Sequence, residues 1–173
     1  MKTIIFISCI LISVQLSAQT NNQPPCSAPE AGQFDFWIGD WTITYSDTMH
    51  ATNHVEKMMS GCTIQENFND LHNNYTGKSW SVYNANYKQW QQTWVDNQGG
   101  YIALTGGMQG DSMVMTTAER IVPVKISPTG KVISRMVYFN ITRNAFDWDW
   151  ESSTDGGKTW KSNWRLHYDR KQL

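Results

Sequence analysis

Apolar and polar positions alternate along most of this chain. In residues 146–151 aromatic and acidic side chains alternate without a break, and after a Gly-Gly turn the same period returns in residues 160–169. A period of two places successive side chains on opposite faces of an extended strand. The pattern therefore predicts a hairpin with one apolar and one charged, exposed face, in which Trp148 and Trp164 are cross-strand neighbours on the buried face.

The same alternation recurs in short segments separated by glycine, asparagine or aspartate turns, and no long window has a helical period. We therefore predict an all-β fold, a single up-and-down meander of about ten short strands. Because closing a meander removes its exposed edges, a barrel is favoured over an open sheet. The predicted strands are residues 41–45, 54–59, 62–68, 80–82, 90–94, 102–104, 113–115, 120–126 and 131–141 and the two arms of the hairpin 146–168.

The N-terminal segment has the layout of a secretory signal peptide over residues 1–18. Lys2 precedes a short apolar run, and the small residue Ala18 marks a plausible cleavage point. We predict cleavage after Ala18 and a secreted or periplasmic location. Residues 19–31, rich in Asn, Gln and Pro, are predicted to form a flexible lead-in, and residues 32–171 to form the barrel domain.

A short aromatic segment precedes the first predicted strand. Residues 34–39 read Phe-Asp-Phe-Trp-Ile-Gly, which is too aromatic for a solvated loop and too short for a full helix. We predict one helical turn that ends at Gly39 and plugs an apolar space.

Charge and cysteine content narrow the possible functions. The formal net charge is −1, so the chain lacks the basic excess typical of proteins that bind nucleic acid or anionic membrane surfaces. After the leader, no apolar segment approaches the length of a membrane span. Cys9 lies in the leader, which leaves Cys26 and Cys62, and an even count in an oxidising compartment favours one disulfide. No histidine or cysteine spacing predicts a metal site.

The tryptophan content points to the interior of the barrel. Nine tryptophans, each hiding about 150–250 Å² when buried, are expected to set the inward face and to enclose a small cavity that opens beside the plug. Glu66 and Gln92 share the parity of inward neighbours. Arg135 is a candidate partner of Glu66, either in a structural ion pair or as a polar anchor for a ligand head group. The expected tryptophan lining is Trp41, Trp80, Trp90, Trp94 and Trp148.

Five parts of the chain together resemble a known family. They are Cys26, the Phe-Asp-Phe-Trp-Ile-Gly-Asp-Trp segment 34–41, the Gly-Cys-Thr-Ile-Gln-Glu segment 61–66, residues 92–97 and residues 153–160. They are similar to the DUF1579-like proteins, a family of secreted bacterial proteins of unknown function, over essentially the whole chain after the leader. The resemblance implies a lipocalin-like (calycin) barrel, distantly similar to the haem-binding nitrobindins, with no established activity. It also supports a disulfide between the two cysteines that remain after the leader.

The leading functional hypothesis is an exported binding protein that holds a small apolar molecule, or a sugar stacked on tryptophan, in the cavity. Two alternatives remain open: a solid barrel that acts as a structural or interaction module, and a haem-dependent calycin-type enzyme. His167, a candidate haem ligand, has the parity of the outward residues. Residues 153–160 fit an Asp-box, but one copy predicts a structural hairpin and not a propeller. No catalytic residue and no cofactor is assigned.

Overall fold

Strand pairing follows the order of the chain almost throughout. The computed structural model describes residues 24, 26–46, 48–118, 125–127 and 130–172. Short 3₁₀ turns occupy Pro29–Gly32, Asp35–Trp37 and Met59–Gly61. The strands are β1 (Gly39–Ser46), β2 (Met49–Met58), β3 (Thr63–Asp70), β4 (Tyr75–Asn84), β5 (Gln89–Asp96), β6 (Tyr101–Gln109), β7 (Ser112–Thr117), β8 (Lys125–Ser127), β9 (Gly130–Phe139), β10 (Ala145–Ser153) and β11 (Lys161–Arg170).

Ten of these strands close into one antiparallel barrel. Strands β1 to β7 pair consecutively, β7 pairs with β9, and β9, β10 and β11 continue the meander until β11 pairs with β1. The short strand β8 pairs only with the first residues of β9 and lies outside the closed ring. The prediction of an all-β, up-and-down, calycin-like barrel is confirmed. The predicted strand 120–126 is described only from residue 125 onward.

The final hairpin confirms the inward face. The rings of Phe146 and Tyr168 stack with centroids 4.3 Å apart, because these residues are directly opposite each other in the register of β10 and β11. The rings of Trp148 and Trp164 meet at 85° with centroids 5.7 Å apart. They are diagonal neighbours, since Trp148 lies opposite Leu166. Both indoles point into the barrel, as the period of two predicts.

The aromatic segment before β1 is the predicted plug. Phe34 and Trp37 are 0% and 1% exposed, and the ring of Phe34 packs edge-on against Tyr138 at 5.3 Å. The Trp41 indole donates a 2.8 Å hydrogen bond to the carbonyl of Trp37. Arg170 of the last strand donates to the carbonyl of Ile38. The plug is thus bonded to both the first and the last strand of the ring.

A disulfide joins Cys26 to Cys62, with the two Cα atoms 5.2 Å apart. This confirms the predicted pairing. Because Cys26 precedes the plug and Cys62 follows the turn Met59–Gly61, the bond fixes the segment that enters the barrel to the connection between β2 and β3. The signal-peptide prediction concerns residues outside the described part of the chain, so it and the domain boundaries stay predictions.

The outer face of the final hairpin corrects one expectation. Asp149 was predicted to be exposed, yet it is 2% exposed. The guanidinium of Arg165, directly opposite in the register, donates two hydrogen bonds of 2.7 and 2.6 Å to its carboxylate. A long side chain therefore covers a short one, so an outward position does not guarantee contact with water.

The connection between β10 and β11 is the structural turn that the Asp-box predicts. The carboxylate of Asp155 accepts hydrogen bonds from the backbone amides of Lys158 and Thr159 and from the hydroxyl of Thr159. The indole of Trp160 folds under the turn and donates to the carbonyl of Gly157. These donors lower the pKa of the Asp155 carboxyl, and they hold the hairpin in one conformation.

Candidate ligand-binding cavity

An aromatic cavity occupies the half of the barrel that the plug leaves free. Its volume is about 120 Å³. The plug packs at the ends of the strands where β1 begins and β11 ends, whereas Tyr75 and Ile102 lie where β4 and β6 begin, at the opposite end. The cavity therefore opens away from the plug, and the predicted opening beside the plug is wrong. Its lining consists of Glu66, Phe68, Tyr75, Trp94, Ile102, Met136, Tyr138, Trp148, Trp150, Trp164, Leu166 and Tyr168.

Perpendicular rings form the walls of this cavity. Phe68 contacts Trp164 at 79° and Trp94 at 66°, with centroids 6.0 and 6.1 Å apart. Trp164 in turn meets Trp148 almost at a right angle. Aromatic pairs prefer such edge-to-face contacts because the edge of one ring is positive and the face of the other is negative. As a result, the planes of the rings around this space lie in several different orientations.

Glu66 is the charged residue among these rings. It alternates inward with Phe68 on β3 and is 5% exposed. The amide of Asn53 donates to one carboxylate oxygen at 2.7 Å, and the hydroxyl of Ser79 donates to the other at 2.6 Å. Gln92 then donates to the Ser79 oxygen at 3.0 Å. The carboxylate is thus fixed by strands on both sides of β3.

Burial controls the ionisation of this carboxyl group. Desolvation raises the pKa of Glu66 to about 7, and the hydrogen bonds from Ser79 and Asn53 offset only part of that rise. Burial also raises the pKa of Tyr138 and Tyr168 well above the usual tyrosine value, and the charge of Glu66 adds to the rise. The tyrosines are therefore neutral at physiological pH, whereas Glu66 changes charge there.

Two amide oxygens next to this group have no hydrogen-bond partner in the part of the chain that the structure describes. Asn53 and Gln92 are each 2% exposed, and their side-chain oxygens have no partner among the described residues. Both side chains use their NH₂ groups to support the Glu66–Ser79 pair. An unsatisfied buried acceptor costs roughly 1–3 kcal/mol. The polar cluster is therefore maintained against a free-energy cost, which is common at binding sites.

Two further carboxylates stand at the open end of the barrel. Asp96 accepts hydrogen bonds from the Trp94 indole at 3.1 Å and the Tyr75 hydroxyl at 3.2 Å. Asp70 accepts one from the Tyr45 hydroxyl at 2.6 Å. Despite partial desolvation, these and backbone hydrogen bonds leave the pKa of both aspartates lowered. Both are ionised at neutral pH, and Asp96 fixes two of the rings that line the cavity.

The structure divides the eight predicted site residues into separate groups. Glu66, Trp94 and Trp148 line the cavity. Gln92 points inward but lies behind the lining, where it contacts Ser79. Trp41 and Trp90 are buried beneath the plug; the indole of Trp90 donates to Gln33, and its ring meets Phe34 at 86°. Trp41 and Trp90 are predicted to line the cavity, but the plug occupies the space next to their rings.

Trp80 and Arg135 correct the predicted inward face. Trp80 is 38% exposed, and its indole donates to Gln65 on the outer surface. In the register of β3 and β4, Ser79 lies opposite Glu66 and points inward. There its hydroxyl donates a hydrogen bond to the buried carboxylate of Glu66, so the neighbouring Trp80 points outward. Arg135 bonds to Glu151 at 2.6 Å and not to Glu66.

Arg135 points outward because of the register between β9 and β10. Arg135 lies opposite Glu151 of β10, and its guanidinium stacks 4.0 Å from the ring centre of Trp160. Both contacts are on the outer face, so Met136 and Tyr138 of the same strand point inward. His167 is exposed and bonds to Asp147 at 2.7 Å. It therefore points away from the barrel interior, which agrees with the outward position that its parity predicts.

Sequence reasoning missed much of the true lining. Tyr138 and Tyr168 reach the cavity from β9 and β11, and Trp150 and Trp164 reach it from the final hairpin. The period of two already places Trp164 on the buried face, and Trp150 and Tyr168 share its parity, so the same pattern could have identified them as lining residues. Tyr138 gave no such signal, since β9 is apolar on both faces.

Two comparisons with known proteins give no match for this chain. A scan against protein-family models gives no match, and no curated protein matches the chain. Among the residues that the structure describes, no cluster of histidine, cysteine and acidic side chains could hold a metal ion. In the same part of the chain, no helix has the length and apolarity that crossing a bilayer requires.

Proposed function

We propose that the protein is a binding protein that holds one small molecule in its aromatic cavity. The observation that supports this proposal is the combination of a space of about 120 Å³ walled by perpendicular rings with a hydrogen-bonded, buried Glu66. An apolar engineered cavity of about 150 Å³ binds benzene; the space here is somewhat smaller but open at one end, so it suits a group no larger than about a single ring. Ligand sites usually combine such apolar walls with a few fixed polar groups.

Export of this protein is part of the same proposal. The Cys26–Cys62 bond supports it, because structural disulfides persist mainly in oxidising compartments. We also propose that the protein belongs to the DUF1579-like family, because the resemblance to that family implies a calycin-like barrel and the structure has such a barrel. The location within that proposal is the periplasm or the extracellular medium, and the ligand is an apolar or ring-stacking molecule.

The experiment compares two variants of the whole protein, in each of which one tryptophan is replaced by phenylalanine. Binding of toluene, phenol, indole and glucose is measured by calorimetry and native mass spectrometry. Trp94→Phe alters the cavity wall, whereas Trp80→Phe makes the same change on the outer face. We expect at least one probe to bind, with affinity reduced in Trp94→Phe and unchanged in Trp80→Phe.

The outcomes separate the three functional hypotheses. If no probe binds, the proposal is overturned and the structural or interaction module is favoured. If the two variants lose affinity equally, the binding site lies elsewhere. A haem titration followed by visible absorption tests the enzyme alternative, for which a shifted Soret band is required.

A further inference from the structure

We infer that the ligand is a small organic cation, an alkyl- or arylammonium compound whose charged group lies among the ring faces with the Glu66 carboxylate as its counter-charge. This inference rests on the proposed binding function and adds the chemical class of the ligand. It follows from four features of the described residues: the charges of the lining, the free lone pairs of Glu66, the ring faces and the acidic opening.

The lining has one sign of charge. Of the described residues that form it, Glu66 is acidic and none is lysine, arginine or histidine. Glu66 belongs to no ion pair within the described ranges, and both of its hydrogen-bond donors, Asn53 and Ser79, are neutral. A buried carboxylate is normally paired. A cation in the cavity would provide the missing opposite charge.

Glu66 also retains capacity to accept hydrogen bonds. A carboxylate has about four lone-pair sites on its two oxygens, and Asn53 and Ser79 each occupy one site on a different oxygen. An ammonium N–H donor from the cavity side can therefore bond without displacing either residue. An anion would instead meet a carboxylate of the same charge whenever Glu66 is ionised, which disfavours acids and phosphates at this site above about pH 7.

The ring faces provide the second contribution. A cation within about 6 Å of an aromatic face gains roughly 0.5–2 kcal/mol, most strongly over tryptophan and in a desolvated site. Trp94, Trp148, Trp150 and Trp164 all line this cavity. Because neighbouring rings such as Trp148 and Trp164 are nearly perpendicular, a compact ammonium group can contact several faces at once.

The opening favours entry of the same class of ligand. Asp70 and Asp96 stand where β3 and β5 end, on the side from which the cavity opens. Their side-chain donors are the neutral groups of Tyr45, Tyr75, Trp94 and Asn73, together with backbone amides. Their negative charges are therefore not cancelled by these contacts. Carboxylates near the mouth of a cleft attract cations and accelerate their association.

Protonation of Glu66 makes the proposal testable by pH. Asn53 from β2 and Ser79 from β4 bond to Glu66, and Gln92 from β5 bonds to Ser79. The charge of Glu66 also raises the pKa of Tyr75 from β4, Tyr138 from β9 and Tyr168 from β11. Of these only the tyrosines titrate, and the pKa of Tyr75 is raised to about 12 while the other two lie well above 10. Between about pH 5.5 and pH 8 the charge that changes inside the cavity is therefore that of Glu66.

The test uses two pairs of probes matched in shape. Choline is compared with its neutral carbon isostere dimethylbutanol, and benzylamine is compared with benzyl alcohol. Calorimetry on the whole protein at about pH 8 is expected to show each cation binding tighter than its neutral partner by about tenfold or more. At about pH 5.5 this preference is expected to fall, because protonated Glu66 no longer attracts a cation.

Substitution then assigns the preference to one residue. Glu66→Gln keeps the shape of the side chain and should remove the preference for cations while benzyl alcohol still binds, which also shows that the variant is folded. Glu56→Gln, an exposed change on β2, is the matched control and should leave the preference intact.

Two results overturn the inference, and a third is distinct from both. If the neutral partners bind as tightly as the cations, or if the preference survives in Glu66→Gln, the ligand is not selected by charge, yet the binding function stands. If neither the cations nor any neutral probe binds, the proposed function itself fails.

Discussion

The indole of Trp94 lies directly over Gly77 on the adjacent strand. A Cβ atom placed on Gly77 would overlap the ring carbons Cζ2 and Cη2 of that indole. The two residues are diagonal neighbours, since Trp94 lies opposite Ser79 in the register of β4 and β5. The missing side chain of the glycine thus leaves the space in which the ring stands, and it sets one wall of the cavity.

The first prediction concerns this contact. Gly77→Ala pushes the Trp94 ring away from β4, and the cavity that this ring lines is free space into which it can move. We expect ligand affinity to fall by about tenfold and the free energy of unfolding to fall by about 1–3 kcal/mol. Calorimetry and denaturant unfolding measure the two effects. Gly107→Ala is the control, since a Cβ there meets no atom within 4 Å; equal losses in both variants would contradict the prediction.

The second prediction concerns the pH dependence of stability in the absence of ligand. Because burial raises the pKa of Glu66 from 4.5 to about 7, the folded state holds its proton more tightly than the unfolded state. This contribution is fully present below pH 4.5 and is lost as the pH rises through about 7. Glu66→Gln removes the titration, so we expect it to be more stable than the native protein at about pH 8, by about 3 kcal/mol.

Denaturant unfolding across this pH range measures that difference. Glu30→Gln, on the exposed surface of the turn Pro29–Gly32, is the control and should follow the native curve. A Glu66→Gln curve parallel to the native one would show that Glu66 does not titrate between the two pH values.

The fold was predictable because its signal is local. The alternation in residues 146–151 fixes the inward face of β10, and the same logic correctly places Trp41, Glu66 and Trp94 inside. The period of two cannot report which strand is the neighbour in a closed ring. For this reason the inward position of Tyr138 on the doubly apolar strand β9, and its contact with the plug, emerge only from the structure.

The candidate site was predictable only in part, because the size or charge of a side chain does not by itself determine which face of a strand is buried. Trp80 was assigned to the interior as a large ring, but the smaller Ser79 occupies that face because the Glu66 carboxylate needs its hydroxyl. Likewise, Arg135 was paired with Glu66 by charge, although cross-strand register pairs it with Glu151. Which residues of a strand point inward thus depends on the polar groups of the neighbouring strand. Because that strand can be distant in the sequence, a local pattern does not reveal this dependence.

The third prediction concerns the disulfide. Cys26 and Cys62 are separated by 36 positions, and closing a loop of this length stabilises the folded state by about 4 kcal/mol in the chain-entropy model. We expect reductant to lower the free energy of unfolding by an amount of this order and to increase quenching of the total tryptophan fluorescence, because the plug that carries Trp37 then loses the disulfide and keeps noncovalent contacts such as its hydrogen bonds to Trp41 and Arg170. The double variant C26S/C62S should unfold like the reduced protein and should not respond to reductant; a response there would assign the effect to another cause.

The fourth prediction concerns the covered ion pair on the outer face. Arg165 is exposed, but its guanidinium shields Asp149, whose side chain is 3% exposed. Arg165→Met leaves that carboxylate buried without a partner, and we expect a loss of about 2–4 kcal/mol in denaturant unfolding. Adding Asp149→Asn should recover much of the loss, because no charge is then stranded. Lys161→Met, an exposed change on the same strand, should cost less than about 0.5 kcal/mol. If Arg165→Met costs no more than Lys161→Met, or if the two substitutions in the double variant are additive, the pair does not act as a unit and water reaches Asp149 unaided.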